Sequence, residues 1–274
     1  MANVLKIAAR SGHQTVIKTG EAGIKWLGLE ILRLEKGQEW QGDTADDEAA
    51  LVVLGGKVSI AVSGKASAEY NGIGVRPDIF AGPPAAVYAP RRSKVKVKAD
   101  SDCEVAVTKA PSSVDLAPAC IAPESVRVVS SGMANWRRDV RMVVPPGSPI
   151  SQRLIIGETL NPPGNWSGIP AHKHDQIVKG ENFLEEFYMF KARPGDGFGV
   201  QVMYDQKGSE AVTVGNDEVT VMLNGYHPTV AAPGVTLCYL WVLSGDSKAY
   251  DIVIDPRFGW VPTAESVMRE MQKA

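Results

Sequence analysis

The chain has 274 residues, 44% hydrophobic and 22% charged, with 29 basic side chains against 31 acidic ones. That length holds one large domain or two of roughly 100–200 residues each, with a sizeable core. A net charge of −2, without runs of like charge, argues against a nucleic-acid binder and against a patch for anionic membranes.

The N-terminus, MANVLKIAARSGHQTV, lacks the apolar stretch and small-residue cleavage site of a signal peptide. The longest apolar run, Val235–Leu243, is about half the ~20 residues of a membrane helix. A soluble cytoplasmic protein is expected. Cys103, Cys120 and Cys238 are widely spaced and odd in number, which predicts buried free thiols and neither a disulfide framework nor a metal knuckle.

Glycine (27) and proline (18) punctuate the chain densely, and short apolar segments between such breakers predict an all-β protein. In chain order the strands are WLGLEILRL from Trp26, ALVVLGG from Ala50, KVSIAVSG, SKVKVKA from Ser93 and CEVAVTKA from Cys103. SKVKVKA alternates strictly, as a strand with one wet face does. The Pro- and Ser-rich stretch after Pro111 predicts a linker over 113–126 between domains 1–112 and 127–274. Strand signals resume in QRLIIGETL, NFLEEFYMFKA, FGVQVMYD, EAVTVG, DEVTVML, TLCYLWVLS and AYDIVID. A helix is expected only in PTAESVMREMQKA, where Pro262 and Thr263 start it and Val267 and Met271 fall four apart. In both halves an apolar strand reaches a Pro-containing turn before two more strands, which predicts two related β-barrels. The second turn carries His227 where the first carries Arg91 and Arg92.

Four histidines occur in the chain: His13, His172, His174 and His227. His13 has no partner in the sequence and reads as ordinary. His172 and His174 are two apart, so on a strand both imidazoles project to one face and Lys173 to the other. Glu185 and Glu186 follow, and only one of two adjacent strand residues can join the histidines. With His227 from the turn NGYHP, these groups form a plausible site for a divalent cation. GDGFG at Gly195 opens onto a strand, so it lacks the helix N-terminus of a phosphate loop. No Gly-x-Ser-x-Gly elbow is present.

An HxH pair, a later Glu and a third His in barrel strands resemble the metal site of the cupin superfamily. LNPPGNWSGIPAHKHD, LEEFYMF, GFGVQVMYD and NGYHPTVAAPG resemble, more specifically, the 5-deoxy-glucuronate isomerase family of inositol catabolism, related to the 5-keto-4-deoxyuronate isomerases. The resemblance is strong from Gly157 to Gly245 and thin before residue 125. It implies a bicupin, two double-stranded β-helix barrels with a short C-terminal helix, in which only the second barrel holds metal. It implies His172, His174 and His227 as ligands of one Zn, Mn or Fe ion. Glu186 joins them because Glu186-Phe187-Tyr188 fits the Glu-x-Tyr pattern of the related isomerases, whereas the general cupin pattern favours Glu185. The spacing from His174 to these acids is longer than in the usual cupin motif. Glu185, Gln201, Tyr204 and Tyr226 are then candidate catalytic residues, and Arg153 and Tyr188 candidate substrate-binding residues. Arg138 is a second guanidinium able to pair with a substrate carboxylate. The implied reaction converts 5-deoxy-D-glucuronate to 5-dehydro-2-deoxy-D-gluconate. The alternatives are isomerisation of a related uronate such as 5-keto-4-deoxyuronate, or sugar binding without catalysis. The expected partner is a small sugar acid, with no nucleic acid and no membrane, in a chain able to form a homo-oligomer.

Overall fold

The computed structural model describes residues 4–21 and 23–272. The chain is mostly β, with one α-helix, Val261–Met271, among the described residues. The first half is a pair of sheets and the second a pair with a further two-stranded sheet, and none of these sheets closes on itself as a barrel. In the first half, a six-stranded sheet runs in the order Ala119–Ile121, Ala86–Ala89, Asp47–Gly55, Cys103–Pro111, Gly28–Leu34, Gly12–Ile17. A four-stranded sheet of Glu39–Asp43, Lys94–Ala99, Val58–Ser63 and Ala68–Ile73 packs against it through Leu32, Leu51, Val53, Ile60 and Val97. In the second half, Leu184–Arg193 and Thr236–Gly245 lie at the centre of a seven-stranded sheet. It faces a four-stranded sheet that contains Phe198–Tyr204 and Thr229–Ala231.

The two large sheets pack back to back. Leu29, Ile31, Val52 and Leu54 of the first share one cluster with Ile156, Phe187, Met189, Leu240 and Val242 of the second. This layering explains the sequence patterns. The large sheets are covered on both faces, so their strands read as unbroken apolar runs such as ALVVL, buried throughout. Lys94–Ala99 lies in an outer sheet, and its lysines are exposed while Val95, Val97 and Ala99 are buried.

Three segments depart from expectation. Val4–Lys6 pairs with Glu218–Met222, so the start of the chain edges the sheet of the second half. Ala119–Ile121, within the expected linker, pairs with Ala86–Ala89 of the first half. AYDIVID forms a strand only at Val253–Ile254, which pairs with His172–Lys173. The helix starts at Val261, buries that residue, and leaves Val267 and Met271 exposed; residues 273 and 274 lie outside the described residues. Of the free cysteines, Cys103 and Cys238 are buried and Cys120 is exposed.

The halves clasp each other reciprocally. Glu48, second residue of its strand, accepts the backbone N–H groups of Gln152 (2.7 Å), Arg153 (2.7 Å) and Leu154 (3.0 Å). Glu185, second residue of the strand Leu184–Arg193, accepts those of Lys25 (2.6 Å) and Trp26 (2.7 Å). Between the sheets, Glu158 is fully buried and bonds Arg76 Nη1 (2.8 Å) and Arg141 Nη1 (3.0 Å).

Candidate metal centre

His172 lies in the short strand paired with Val253–Ile254, and His174 follows two residues later. Alternation along extended chain turns both imidazoles one way. Lys173 points the other way, where its Nζ meets Asp175 (2.6 Å) and Glu181 (2.8 Å). Glu186 comes from the strand Leu184–Arg193, opposite Met222. His227 comes from a tight turn whose Gly225 has φ 76°. A Cβ on Gly225 would sit 2.7 Å from the Tyr204 carbonyl oxygen, so the turn requires glycine.

Ligand atoms of His174, Glu186 and His227 lie within 4.8 Å of one another, and all three residues are buried. Glu186 Oε2 is 3.2 Å from His174 Nε2 and 3.0 Å from His227 Nε2. His172 flanks this trio, with its ring centroid 5.4 Å from that of His227 and 6.4 Å from that of His174. Its Nε2 is 3.4 Å from the Tyr250 hydroxyl.

The backbone sets the tautomers. His172 Nδ1 lies 3.0 Å from the Pro170 carbonyl, His174 Nδ1 2.8 Å from that of Leu184, and His227 Nδ1 3.0 Å from that of Gly225. A carbonyl oxygen can only accept, so each Nδ1 carries the proton and donates it. In the neutral form of such a ring Nε2 is bare. Two of these lone pairs face one carboxylate oxygen, and His227 Nε2 is buried with no hydrogen bond of acceptable angle. Lone pairs so opposed repel unless a cation or a proton lies between them. Nitrogens and a carboxylate oxygen bound to one ion at about 2.0–2.2 Å stand roughly 3 Å apart, which matches the spacing here. The donor set suits a divalent cation of borderline softness.

Burial alone would raise the Glu186 pKa, but the His174 and His227 rings against its carboxylate overcome it and hold the carboxyl at about 2. Burial and the neighbouring His227 push His172 down to about 4. For His174, the Glu186 carboxylate outweighs burial and raises the pKa. The set is thus anionic at one oxygen and neutral at His172.

A cavity of about 210 Å³ opens onto His172 and Glu186 and is lined also by Arg138, Tyr188, Tyr239 and Tyr250. Burial raises the Tyr188 pKa well above the usual range and that of Tyr239 to about 12. Their hydroxyls therefore stay protonated, able to donate. Ser167 hydrogen-bonds the Tyr239 hydroxyl.

Of the residues singled out in the sequence, Tyr188 lines this cavity. Five others lie outside its lining. Glu185 faces away, since adjacent strand residues alternate, and its carboxylate is engaged by Lys25 and Trp26 N–H groups. Tyr204 and Tyr226 stack on each other at 5.1 Å away from the cavity lining, with the Tyr204 hydroxyl on Asp255 at 2.6 Å. Arg153 donates to the Gly245 carbonyl at 2.6 Å and covers the Trp26 ring, so its guanidinium is used structurally. Gln201 is fully buried and donates at 3.3 Å to Sδ of Met222, the cross-strand partner of Glu186, and is not in the cavity lining. His13 pairs with Glu30 at 2.8 Å, outside the site. Sequence reasoning missed Tyr239 and Tyr250. The one available signal was a hydroxyl-bearing residue inside TLCYLWVLS, which shares its face with Leu237 and Trp241.

The KduI/IolB family model matches residues 4–261. The chain is 35% identical over 266 residues to a 5-deoxy-glucuronate isomerase of Geobacillus kaustophilus, covering 96% of this chain and 95% of the relative. It is 30% identical to one of Bacillus subtilis, covering 89% and 91%. An IolB-like protein from Salmonella typhimurium superposes with a TM-score of 0.90 at 30% identity, covering 95% of this chain and all of the other. An oxalate decarboxylase from Lactobacillus farciminis, at a TM-score of 0.66 and 10% identity over 96% of this chain and 89% of the other, shares the fold alone.

Proposed function

Because the chain belongs to the KduI/IolB family, we propose that it is a metal-dependent aldose–ketose isomerase that converts 5-deoxy-D-glucuronate to 5-dehydro-2-deoxy-D-gluconate in inositol catabolism. Relatives that span nearly the full chain carry the isomerase name. The observation that carries the metal dependence is the set of three Nδ1–H groups held on backbone carbonyls, two of whose rings, those of His174 and His227, turn Nε2 onto Glu186 Oε2 at 3.2 and 3.0 Å.

In this reading His172, His174, Glu186 and His227 hold one divalent cation. When bound, such an ion supplies Lewis-acid stabilisation of negative charge developing on the sugar carbonyl, without redox change. The chain's own residues do the rest. The reaction moves a proton from the hydroxyl-bearing carbon to the former aldehyde carbon, and the neutral Tyr188, Tyr239 and Tyr250 hydroxyls donate to oxygens that gain charge meanwhile. Enclosure by aromatic rings keeps bulk water from the reacting carbons. A positioned general base contributes typically ~10²–10⁴-fold.

The same reading takes the two sheet pairs as two cupin barrels joined through residues 113–126, the second one metal-binding. It places the enzyme in the cytoplasm, in keeping with free Cys103, Cys120 and Cys238; no helix among the described residues is long and apolar enough to cross a membrane. The test is a proton NMR time course with 5-deoxy-D-glucuronate in D₂O. The anomeric signals should disappear as a keto acid carrying solvent deuterium grows in. Absence of conversion with Zn²⁺, Mn²⁺ and Fe²⁺ each supplied would refute the assignment.

A further inference from the structure

Arg138 opens the strand Arg138–Val144 and lines the same cavity as His172 and Glu186. Its Nη1 donates to the carbonyls of Ile169 (2.9 Å) and Trp136 (3.2 Å), which fixes the plane of the guanidinium. A guanidinium has five N–H donors, and these two bonds use only the pair on Nη1. Among the described residues, no hydrogen bond engages Nε or Nη2, and no carboxylate stands within ion-pair distance of them. Neither atom is sealed from solvent.

Arg138 is half-buried, and other arginines withdrawn from solvent show what is missing. Arg76 and Arg141 both rest on Glu158. Arg33, half-buried, rests on Glu104 and Asp217. A guanidinium partly withdrawn from water without a counter-charge loses hydration that is not fully replaced. Three unused donors facing a cavity suit an anion, and a planar carboxylate matches the Nε–Nη2 edge bidentately. The cavity of about 210 Å³ is smaller than the roughly 300–1,000 Å³ of sites for drug-sized ligands, so the anion must belong to one small molecule.

We propose that Arg138 is the carboxylate-binding, specificity-determining residue of the site, taking the acid group of a small sugar acid on its Nε–Nη2 edge while the other end of the ligand reaches His172 and Glu186. This deepens the isomerase reading and rests on it for the identity of the sugar. It restricts the substrate class to acids and assigns to Arg138 the role expected of Arg153.

The test uses isothermal titration of the Zn²⁺-loaded protein with two probes. One is borohydride-reduced 5-deoxy-D-glucuronate, which keeps the carboxylate and cannot turn over. The other is the corresponding neutral alcohol at C6. A hydrogen-bonded charge pair predicts that wild type binds the acid about 10–100-fold more tightly than the alcohol. Arg138→Gln should remove that preference while leaving affinity for the alcohol and the zinc content unchanged, and Arg138→Lys should restore part of it. Equal binding of the two probes by wild type overturns the proposal without any variant having to fold. So does an equal loss for both probes in Arg138→Gln, which would mark a merely structural residue. If the acid preference depends on Arg138 but 5-deoxy-D-glucuronate is not isomerised, the carboxylate site stands and the isomerase reading falls.

Discussion

Asp175 shows how much of a metal-ready site is held from outside its ligands. Its Oδ2 accepts the Gly225 N–H at 2.7 Å, and the carbonyl of that same Gly225 accepts the His227 Nδ1–H at 3.0 Å. Lys173 and the backbone bond from Asp175 to Glu181 fix the carboxylate in turn. Asp175→Asn keeps the shape but weakens the acceptor and its bond to Lys173. Loss of such outer support typically lowers metal affinity about 10–100-fold. A competition titration with a chromogenic chelator should show a drop in that range with little change in melting temperature; unchanged affinity would remove Asp175 from this role. The sequence already suggested that Lys173 turns away from the histidines, because alternation is a local rule. Arg138, Tyr239 and Tyr250 could not be read in the same way. They come from strands and loops far apart in the chain, and only tertiary packing brings them to one cavity.

Along the strand Leu184–Arg193, adjacent glutamates have opposite fates. Glu186 faces the histidines, whereas Glu185 clasps the loop before Gly28–Leu34. Period-two alternation requires that only one of them face the site, but it does not say which. That choice depends on which face of the sheet covers the first half, a fact that appears only when the two large sheets are packed. The pair yields a contrasting prediction. Glu186→Gln should abolish tight metal binding and isomerisation with the fold intact. Glu185→Gln should keep its metal and most of its rate but lose about 1–3 kcal/mol of stability, the penalty for weakening a buried charged acceptor. Metal content and denaturant midpoints of the two variants decide it; loss of metal from the Glu185 variant would contradict the assignment. AYDIVID misled because its apolar alternation looks like a strand, yet Tyr250 turns toward His172 and only Val253–Ile254 finds a pairing edge.

At the scale of the molecule, the sheets were legible as runs and alternations, but the clasp between halves was not. The sequence around Glu158 reads as an ordinary strand, and nothing local announces that Arg76 and Arg141 meet it across the core. Removing one member strands buried charge, which costs about 3–5 kcal/mol. Glu158→Ala should therefore shift urea unfolding by about that amount, and a shift below 1 kcal/mol would mean that the triad does not fasten the halves. The back-to-back core carries the strand bearing Glu186, so this fastening also fixes one wall of the cavity. The most direct test of the whole account is to follow metal content and isomerase rate on one sample through stepwise chelation and readdition of the ion. One divalent cation per chain, a rate that falls in proportion to its removal, and full recovery on readdition are expected. A rate that persists once the metal is gone would contradict it.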